Sequence, residues 1–412
     1  MQFGKNKKVP IHRWYPFVEG YSREFIESII SEQSIKPKCC LEPFSGSGTT
    51  ALELQRMGIK CYSFEVNPFM YSLSKAKLKS SGYNPYTIKK HIDKMKVIID
   101  SIDDSEISDV SEFPTLIEND EKNKWNLDKP VYTATEKIMI AIGNLNSSKY
   151  KDLYMIAVAN VLLEYGNLYR NGKCLSYKKN WKKKKYTQKE VVEFFYNFIK
   201  TVIIVDIKDC TQLKINNESY LFNGDSRKLI FEKIEDNSVD LVITSPPYLN
   251  SRDYTDSYML ELKALGYLTT YKEIKNLRTQ TLRSHVQLKL EDEFLLSNEL
   301  LNKTVVKLNE ASKIMNSWND EIVLMVKAYF EDMKQIFEAL YLKVKKGKKV
   351  YFNVSNSAYY GVLINTLEIC SSIAESIGFE VEEIREARYL KSSPQQKETI
   401  GNLLEGVIVL KR

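Results

Sequence analysis

The stretch CCLEPFSGSGTT, residues 39–50, decides the fold class. It opens on a short apolar run that predicts a strand, and the Ser-Gly-Ser-Gly sequence at 45–48 predicts a tight turn. Residues 49–57 have the apolar spacing of a helix, and 59–64 predict the next strand, which ends at Glu65. This order of strand, turn, helix and strand predicts an α/β protein with a largely parallel sheet.

The composition indicates a folded protein of substantial size. Of its 412 residues, 43% are hydrophobic and 27% charged, which excludes a mainly disordered chain. The length predicts a core domain with large insertions, or two domains. A net charge of +7 suits a polyanionic partner, although an excess of this size identifies none by itself.

Several classes of protein are excluded by what the sequence lacks. Its six cysteines form no Cys-x-x-Cys pair and its three histidines have no metal-ligand spacing, so we expect reduced thiols and no metal site. No apolar run approaches the roughly 20 residues that a membrane-spanning helix needs. We therefore expect no membrane partner and a cytoplasmic location in a prokaryotic cell.

The glycine turn is compatible with more than one nucleotide ligand. Residues 44–51 place two glycines and an alanine in the G-x-G-x-x-A register, which lets backbone amides approach a nucleotide closely. A phosphate-binding P-loop is excluded because Thr49 and Thr50 stand where it needs Lys-Ser/Thr. Glu65 ends the next strand at the position that holds a ribose diol, in a dinucleotide or in S-adenosylmethionine. A tight turn without a ligand is the remaining alternative.

A second motif, at residues 240–248, narrows the chemistry. It reads DLVITSPPY, a buried strand that continues into a double-proline turn with an aromatic end. The Ser245 hydroxyl and the Pro246 carbonyl are placed to accept the two hydrogens of an exocyclic base amine, which frees the nitrogen lone pair from the ring. Tyr248 is placed to stack on the base, which has to leave the duplex to reach the loop. A simple strand terminator is the alternative reading of Pro246 and Pro247.

Together these motifs resemble those of the amino-methylating DNA methyltransferases of restriction-modification systems. The matching features are the Phe-Ser-Gly-Ser-Gly turn and the Thr-Ser-Pro-Pro-Tyr loop, and the resemblance covers the core around them, about half the chain. The resemblance implies a Rossmann-like class I methyltransferase sheet with a terminal β-hairpin and largely helical insertions. It also implies S-adenosylmethionine as cofactor, double-stranded DNA with a short recognition site as substrate, and a cognate restriction endonuclease as a possible partner.

The resemblance assigns roles to individual residues. Catalysis falls to the loop, with Ser245, Pro246, Pro247 and Tyr248. A serine at the first loop position is typical of enzymes that act on cytosine N4, whereas Asp or Asn is more usual for adenine N6. The glycine turn, however, precedes the loop here, and many cytosine-N4 enzymes have the reverse order. The residues implied in cofactor binding are Tyr15, Glu42, Phe44, Gly46, Gly48, Thr49, Thr50, Glu65, Asp225 and Ser245.

The rest of the chain divides around this core. Residues 1–78, 220–269 and 321–412 are predicted to form the catalytic domain, including a helix over 321–342 that Gly347 ends. Residues 79–219 are predicted to be an inserted region for target recognition, and 270–320 a second helical insertion in reach of DNA. The residues predicted to contact DNA are Lys178, Lys179, Lys182, Lys183, Arg252, Tyr254 and Arg283.

Four functions remain open on these residues. The first is a DNA methyltransferase acting on cytosine N4, with adenine N6 as its alternative. An RNA base-amine methyltransferase would use a similar loop. A non-enzymatic DNA-binding module is supported only by the net charge and the basic run 178–185. A nicotinamide dehydrogenase would leave the Ser-Pro-Pro-Tyr loop without a task.

Overall fold

A computed structural model describes residues 3–17, 20–108, 110–172, 174–210, 219–290, 294–314, 321–392 and 397–412. Its strands are β1 Cys39–Glu42, β2 Lys60–Glu65, β3 Leu168–Asn171, β4 Cys174–Tyr177, β5 Ser219–Asn223, β6 Val239–Thr244, β7 Val344–Ser355, β8 Ser357–Tyr359, β9 Val362–Ile364, β10 Glu380–Lys391 and β11 Asn402–Lys411.

The helices occupy the segments between these strands. They are α1 Arg23–Ser31, α2 Thr49–Arg56, α3 Pro68–Leu78, α4 Pro85–Ser101, α5 Lys129–Gly143, α6 Ser148–Tyr165, α7 Gln188–Phe198, α8 Ile204–Cys210, α9 Ser226–Lys233, α10 Met259–Ala264, α11 Tyr271–Gln280, α12 Glu299–Ile314, α13 Glu321–Lys343, α14 Thr366–Ile377 and α15 Lys397–Ile400. Within the described residues, no helix is both long and apolar enough to cross a membrane.

A seven-stranded sheet forms the centre, in the order β10-β11-β7-β6-β1-β2-β5. The strands from β7 to β5 in that order run parallel, and β11 runs antiparallel to both β7 and β10. The predicted Rossmann-like fold with a terminal β-hairpin is confirmed. Since β1 and β6 are neighbours at the point where the strand order reverses, their carboxyl ends open one crevice at the sheet edge.

The predicted insertions are largely helical, as expected. Helices α4 to α8 and the small β3–β4 hairpin lie between β2 and β5. Their apolar side chains, such as Ile138, Leu153 and Phe195, pack in one continuous core with Leu73 of α3. The first insertion therefore shares its core with the catalytic sheet. Its role in target recognition stays a prediction, and residues 211–218 and 315–320 of the two insertions lie outside the described residues.

The prediction that Gly347 ends a helix is wrong. Helix α13 ends at Lys343, and Gly347 lies inside β7 with a φ of 75°. Its backbone amide donates to the Arg412 carbonyl at 2.6 Å. Pairing with the terminal strand β11 continues close to the start of β7, so long-range hydrogen bonds override the local helix signal.

Candidate active site

One cavity of about 370 Å³ opens at the carboxyl edge of the sheet and brings the two motifs together. The glycine turn follows β1 and the double-proline loop follows β6, and these adjacent parallel strands deliver both to the same space. The lining includes these predicted site residues: Phe44, Gly46, Thr49, Thr50, Glu65, Asp225, Ser245, Pro246, Pro247, Tyr248 and Tyr254.

The glycine turn adopts a backbone that requires glycine. Gly46 has a φ of 52°, and a Cβ there would lie 2.8 Å from Cζ of Phe17. Gly48, with a φ of 80°, is the N-cap of α2 and packs against Ser74. Gly46 lines the cavity, whereas Gly48 lies outside its lining. Gly48 therefore shapes the turn, and its predicted contact with the cofactor stays a prediction.

Glu65 is fixed by the backbone at the end of β2. Its Oε2 accepts the Gly46 amide at 2.7 Å and its Oε1 accepts the Asn67 amide at 2.8 Å. Burial raises the pKa of this carboxyl to about 7, against the opposing effect of the two amides. Each oxygen keeps a lone pair, so the carboxylate can accept further donors from the cavity.

Glu42 ties the motifs together from beneath the cavity. It accepts hydrogen bonds from Tyr21 Oη at 2.5 Å, Thr50 Oγ1 at 2.9 Å, Thr244 Oγ1 at 2.5 Å and the Phe44 amide at 3.0 Å. It is 1% exposed, and burial raises its pKa to about 7. These partners hold Glu42 below the cavity surface, and its predicted contact with the cofactor stays a prediction.

Tyr15 also lies elsewhere than predicted. It is fully buried, and its hydroxyl donates to Glu261 Oε1 at 2.5 Å. The Arg170 guanidinium carbon lies 5.1 Å from the ring centroid of Tyr15 and 4.6 Å from that of Tyr258. Tyr258 lines the cavity, whereas Tyr15 does not. From the same N-terminal segment, Phe17 reaches the lining. The sequence does not separate Tyr15 from Phe17, two residues further on, because both are aromatic and only packing decides which of them reaches the cavity.

Asp225 combines a cavity position with an ion pair. Its Oδ1 accepts the Arg227 amide at 3.0 Å, which caps α9, and its Oδ2 pairs with the Arg227 guanidinium at 2.8 Å. Arg227 also pairs with buried Asp332 at 2.8 Å, and Asp332 binds Arg283 at 2.7 Å. This ion pair argues against the predicted DNA contact of Arg283, which stays a prediction.

The double-proline loop is held by tyrosine hydroxyls. Tyr254 Oη accepts the Tyr248 amide at 2.8 Å and the Asn250 side-chain amide at 2.9 Å. Tyr329 Oη donates to the Pro247 carbonyl at 3.1 Å. Tyr254, predicted to contact DNA, therefore supports the loop backbone from within the cavity wall.

A polar network that the motifs do not reveal surrounds the double-proline loop. Asn353 Nδ2 lies 2.8 Å from Tyr248 Oη and 3.3 Å from Ser245 Oγ, and Tyr248 Oη donates to Glu405 Oε1 at 2.9 Å. Arg388 Nε donates to Glu405 Oε2. The available signal was one polar residue, Asn353 or Glu405, within each of two otherwise apolar strand sequences, FNV and LLEGVIV.

The predicted DNA-contacting lysines differ in their surroundings. Lys178 Nζ donates to the Leu163 and Glu164 carbonyls at 2.7 Å, which caps α6 and argues against its predicted DNA contact. Lys179, Lys182 and Lys183 are exposed, as a DNA contact requires. Exposed Arg252 donates to Cys174 Sγ at 2.5 Å, on the β3–β4 hairpin.

Comparison with known proteins identifies the family. The sequence profile described as D12 class N6 adenine-specific DNA methyltransferase matches residues 23–333, well over half of the chain. The chain belongs to this family. The resemblance drawn from the two motifs is thereby confirmed, and the family's chemistry implies S-adenosylmethionine as the methyl donor. The family description agrees with the adenine-N6 alternative better than with the cytosine-N4 prediction.

Curated relatives are similar over nearly the whole length. Type II methyltransferase M.BsoBI of Geobacillus stearothermophilus is 28% identical over 443 residues, covering 96% of this chain and 84% of that protein. Type II methyltransferase M.AvaI of Nostoc sp. is 24% identical, covering 93% and 82%. Type II methyltransferase M.MvaI of Kocuria varians is 24% identical, covering 84% and 74%. This D12-class methyltransferase is thus similar along most of its length to proteins named Type II methyltransferases.

Proposed function

We propose that this methyltransferase transfers a methyl group from S-adenosylmethionine to the exocyclic amine of a flipped base in a short duplex DNA site. The observation that carries the proposal is the shared cavity. Glu65 beside the glycine turn and Ser245 at the start of the double-proline loop line the same space. A companion restriction endonuclease is the partner that this function implies.

The glycine-turn side of the cavity fits the cofactor. The Glu65 oxygens remain able to accept the ribose hydroxyls, and the Asp225 carboxylate lines the same wall, where it can accept the adenine amine. Phe17 and Phe44 supply apolar surface nearby. The bound cofactor would supply an electrophilic methyl group on a sulfonium, which requires no metal ion.

The loop side fits a base amine. The Ser245 hydroxyl donates to Tyr248 Oη and receives one hydrogen bond from Asn353, which leaves it one acceptor position. With the Pro246 carbonyl it can accept both amine hydrogens, so that the nitrogen lone pair points out of the base plane. The ring of Tyr248 stacks on the base and holds this orientation.

Two bases are candidates, each on its own observation. Adenine N6 is supported by the description of the matching family. Cytosine N4 is the second candidate, because Ser245 stands at the loop position where Asp or Asn is more usual in adenine-N6 enzymes. Methylome sequencing of a methylation-free host that expresses this gene reports the modified atom and its sequence context together.

Site variants test the pocket itself. Ser245→Ala and Tyr248→Ala should each lower methyl transfer to DNA by about 100-fold, since each removes a group that orients the reacting amine. Tyr389→Ala is the matched control, because Tyr389 is 57% exposed on β10 and lies outside the cavity lining. Transfer at wild-type rates by both loop variants would refute the proposed pocket, and transfer to RNA in preference to DNA would refute the proposed substrate.

DNA contact is assigned to an aromatic and basic surface of the first insertion. Trp181 lies 4.9 Å from both Trp125 and Tyr177, measured between ring centroids, and Lys182 Nζ stands over both tryptophans. The β3–β4 hairpin connects this surface to the cavity, because Gly172 at its turn lines the cavity. At about 3.3 Å per residue, the hairpin places the aromatic and basic surface roughly 15–20 Å from the cavity. This distance corresponds to a few base pairs along a DNA duplex.

Salt dependence tests this surface. Lys182→Met and Lys183→Met should each weaken DNA binding and lower the slope of log K against log salt by about 1, because each removes a phosphate contact. Lys189→Met is the control, since Lys189 is equally exposed on the nearby α7 and has only a 3.9 Å pairing with Glu193. An unchanged slope in both variants would place the DNA elsewhere.

A further inference from the structure

Tyr248 is anchored at its hydroxyl by residues of the C-terminal half of the sheet. Its Oη donates to Glu405 Oε1 at 2.9 Å and accepts from Asn353 Nδ2 at 2.8 Å. Asn353 Nδ2 also reaches Glu405 Oε1 at 3.2 Å, which closes a three-membered ring of hydrogen bonds. Both partners are nearly inaccessible, at 3% and 2% exposure.

The network crosses three strands before it reaches the loop. Arg388 on β10 stands opposite Glu405 on β11, and its guanidinium neutralises the carboxylate. Glu405 in turn stands opposite Ser355 on β7, two positions from Asn353 and therefore on the same face. Both motifs lie outside these strands, and the three strands meet the site through Asn353, Arg388 and Glu405, which also line the cavity.

Packing alone does not account for these polar residues. Their neighbours Phe352, Val354, Val407 and Ile408 are buried and apolar, and a buried charge pair generally stabilises a core no more than apolar residues of similar volume. The Asn353 Oδ1 atom is buried without a partner among the described residues, which costs stability. Apolar side chains at these positions would make the sheet more stable. The presence of Glu405 and Asn353 instead points to a role for them in the site.

We propose that Glu405 and Asn353 are positioning residues that fix the plane of the Tyr248 ring for stacking on the flipped base. A tyrosine ring held only at Cβ rotates about two side-chain bonds. Anchoring the hydroxyl oxygen fixes the first of these angles, and because the phenolic O–H bond prefers the ring plane, the directional hydrogen bonds with Glu405 and Asn353 also restrict the second. The flipped base then meets a preformed surface instead of a mobile ring, and its amine is delivered to Ser245 in one orientation. This inference rests on the proposed function and names residues that determine its rate.

The test is a double-mutant cycle on Glu405→Leu and Tyr248→Phe. Each variant removes one end of the anchor and keeps an aromatic ring at the loop. Each should lower the single-turnover rate of methyl transfer by on the order of 10- to 100-fold, because the ring is misplaced. The double variant should lie within roughly two-fold of the slower single variant, since the anchor is lost only once.

Two further readouts and a control variant separate positioning from general damage. Calorimetry with S-adenosylhomocysteine should show unchanged cofactor affinity in every variant. A duplex carrying 2-aminopurine at the target base should still brighten on binding, with weaker quenching where the ring no longer stacks. Ser355→Ala is the matched control, because Ser355 is buried on the same face of β7 but bonds to backbone carbonyls, and its transfer rate should stay unchanged.

The outcomes distinguish this inference from the function beneath it. The positioning role would be overturned if both single variants transferred methyl groups at the wild-type rate, or if the losses of the two single variants multiplied in the double variant. In either case, methyl transfer by the unmodified protein would leave the proposed function intact. Should Glu405→Leu fail to fold, Tyr248→Phe decides alone, because it deletes a single oxygen, and a wild-type rate there overturns the anchor. A wild-type protein that methylates no DNA would instead overturn the proposed function.

Discussion

The sharpest prediction concerns the pH dependence of cofactor binding through Glu65. Its carboxyl has a pKa raised by burial to about 7, and it faces the cavity where the ribose hydroxyls are proposed to donate. Donation to the carboxylate stabilises its charged form, so binding lowers its pKa and releases a proton. Cofactor affinity should therefore fall as the pH drops below about 7.

The size of the effect follows from that pKa. With a pKa of about 7, roughly a tenth of the carboxyls are ionised at about pH 6 and roughly nine tenths at about pH 8. The cofactor should thus bind about 10-fold more weakly at the lower pH, equivalent to about 1.4 kcal/mol. Titration calorimetry across this range measures both the affinity and the proton release.

The variant Glu65→Gln isolates the responsible group. It keeps one oxygen for the backbone amides but does not ionise, so its binding should be weaker at high pH and lose this pH dependence. The cofactor's own amine and buried Glu42 titrate in the variant as they do in the wild type. The difference between the pH profiles of cofactor binding of the wild type and of Glu65→Gln therefore reports on Glu65. An equally steep profile in Glu65→Gln, or a flat profile in the wild type, would refute the reasoning.

Three further predictions concern stability. Gly46→Ala should lower the free energy of unfolding by about 1–3 kcal/mol in denaturant titrations. Adding Phe17→Ala should recover only part of this loss, because it relieves the 2.8 Å clash but leaves residue 46 strained at a φ of 52°. Asp332→Ala should cost about 3–5 kcal/mol, since it leaves two paired arginines without their shared buried carboxylate, and a loss under 1 kcal/mol would contradict this. Lys178→Met should cost about 1 kcal/mol by uncapping α6, yet leave the salt slope of DNA binding unchanged.

Local sequence determined the two motifs and the sheet that carries them. Gly46 is required because its backbone takes a left-handed conformation beside another chain segment, a constraint that one residue type satisfies. Pro246 and Pro247 end β6 because they cannot extend a strand ladder. Such effects act within a few residues, so a sequence pattern reports them directly.

Tertiary structure decided which charged and aromatic side chains face the cavity. Arg283 and Lys178 looked like free cations, but Asp332 and the end of α6 bind them, and those partners come from other parts of the fold. Glu405 reaches Tyr248 across 157 positions of chain. Such pairings arise only when strands are placed side by side, because hydrogen bonds and ion pairs depend on a few ångströms in space and not on spacing along the chain.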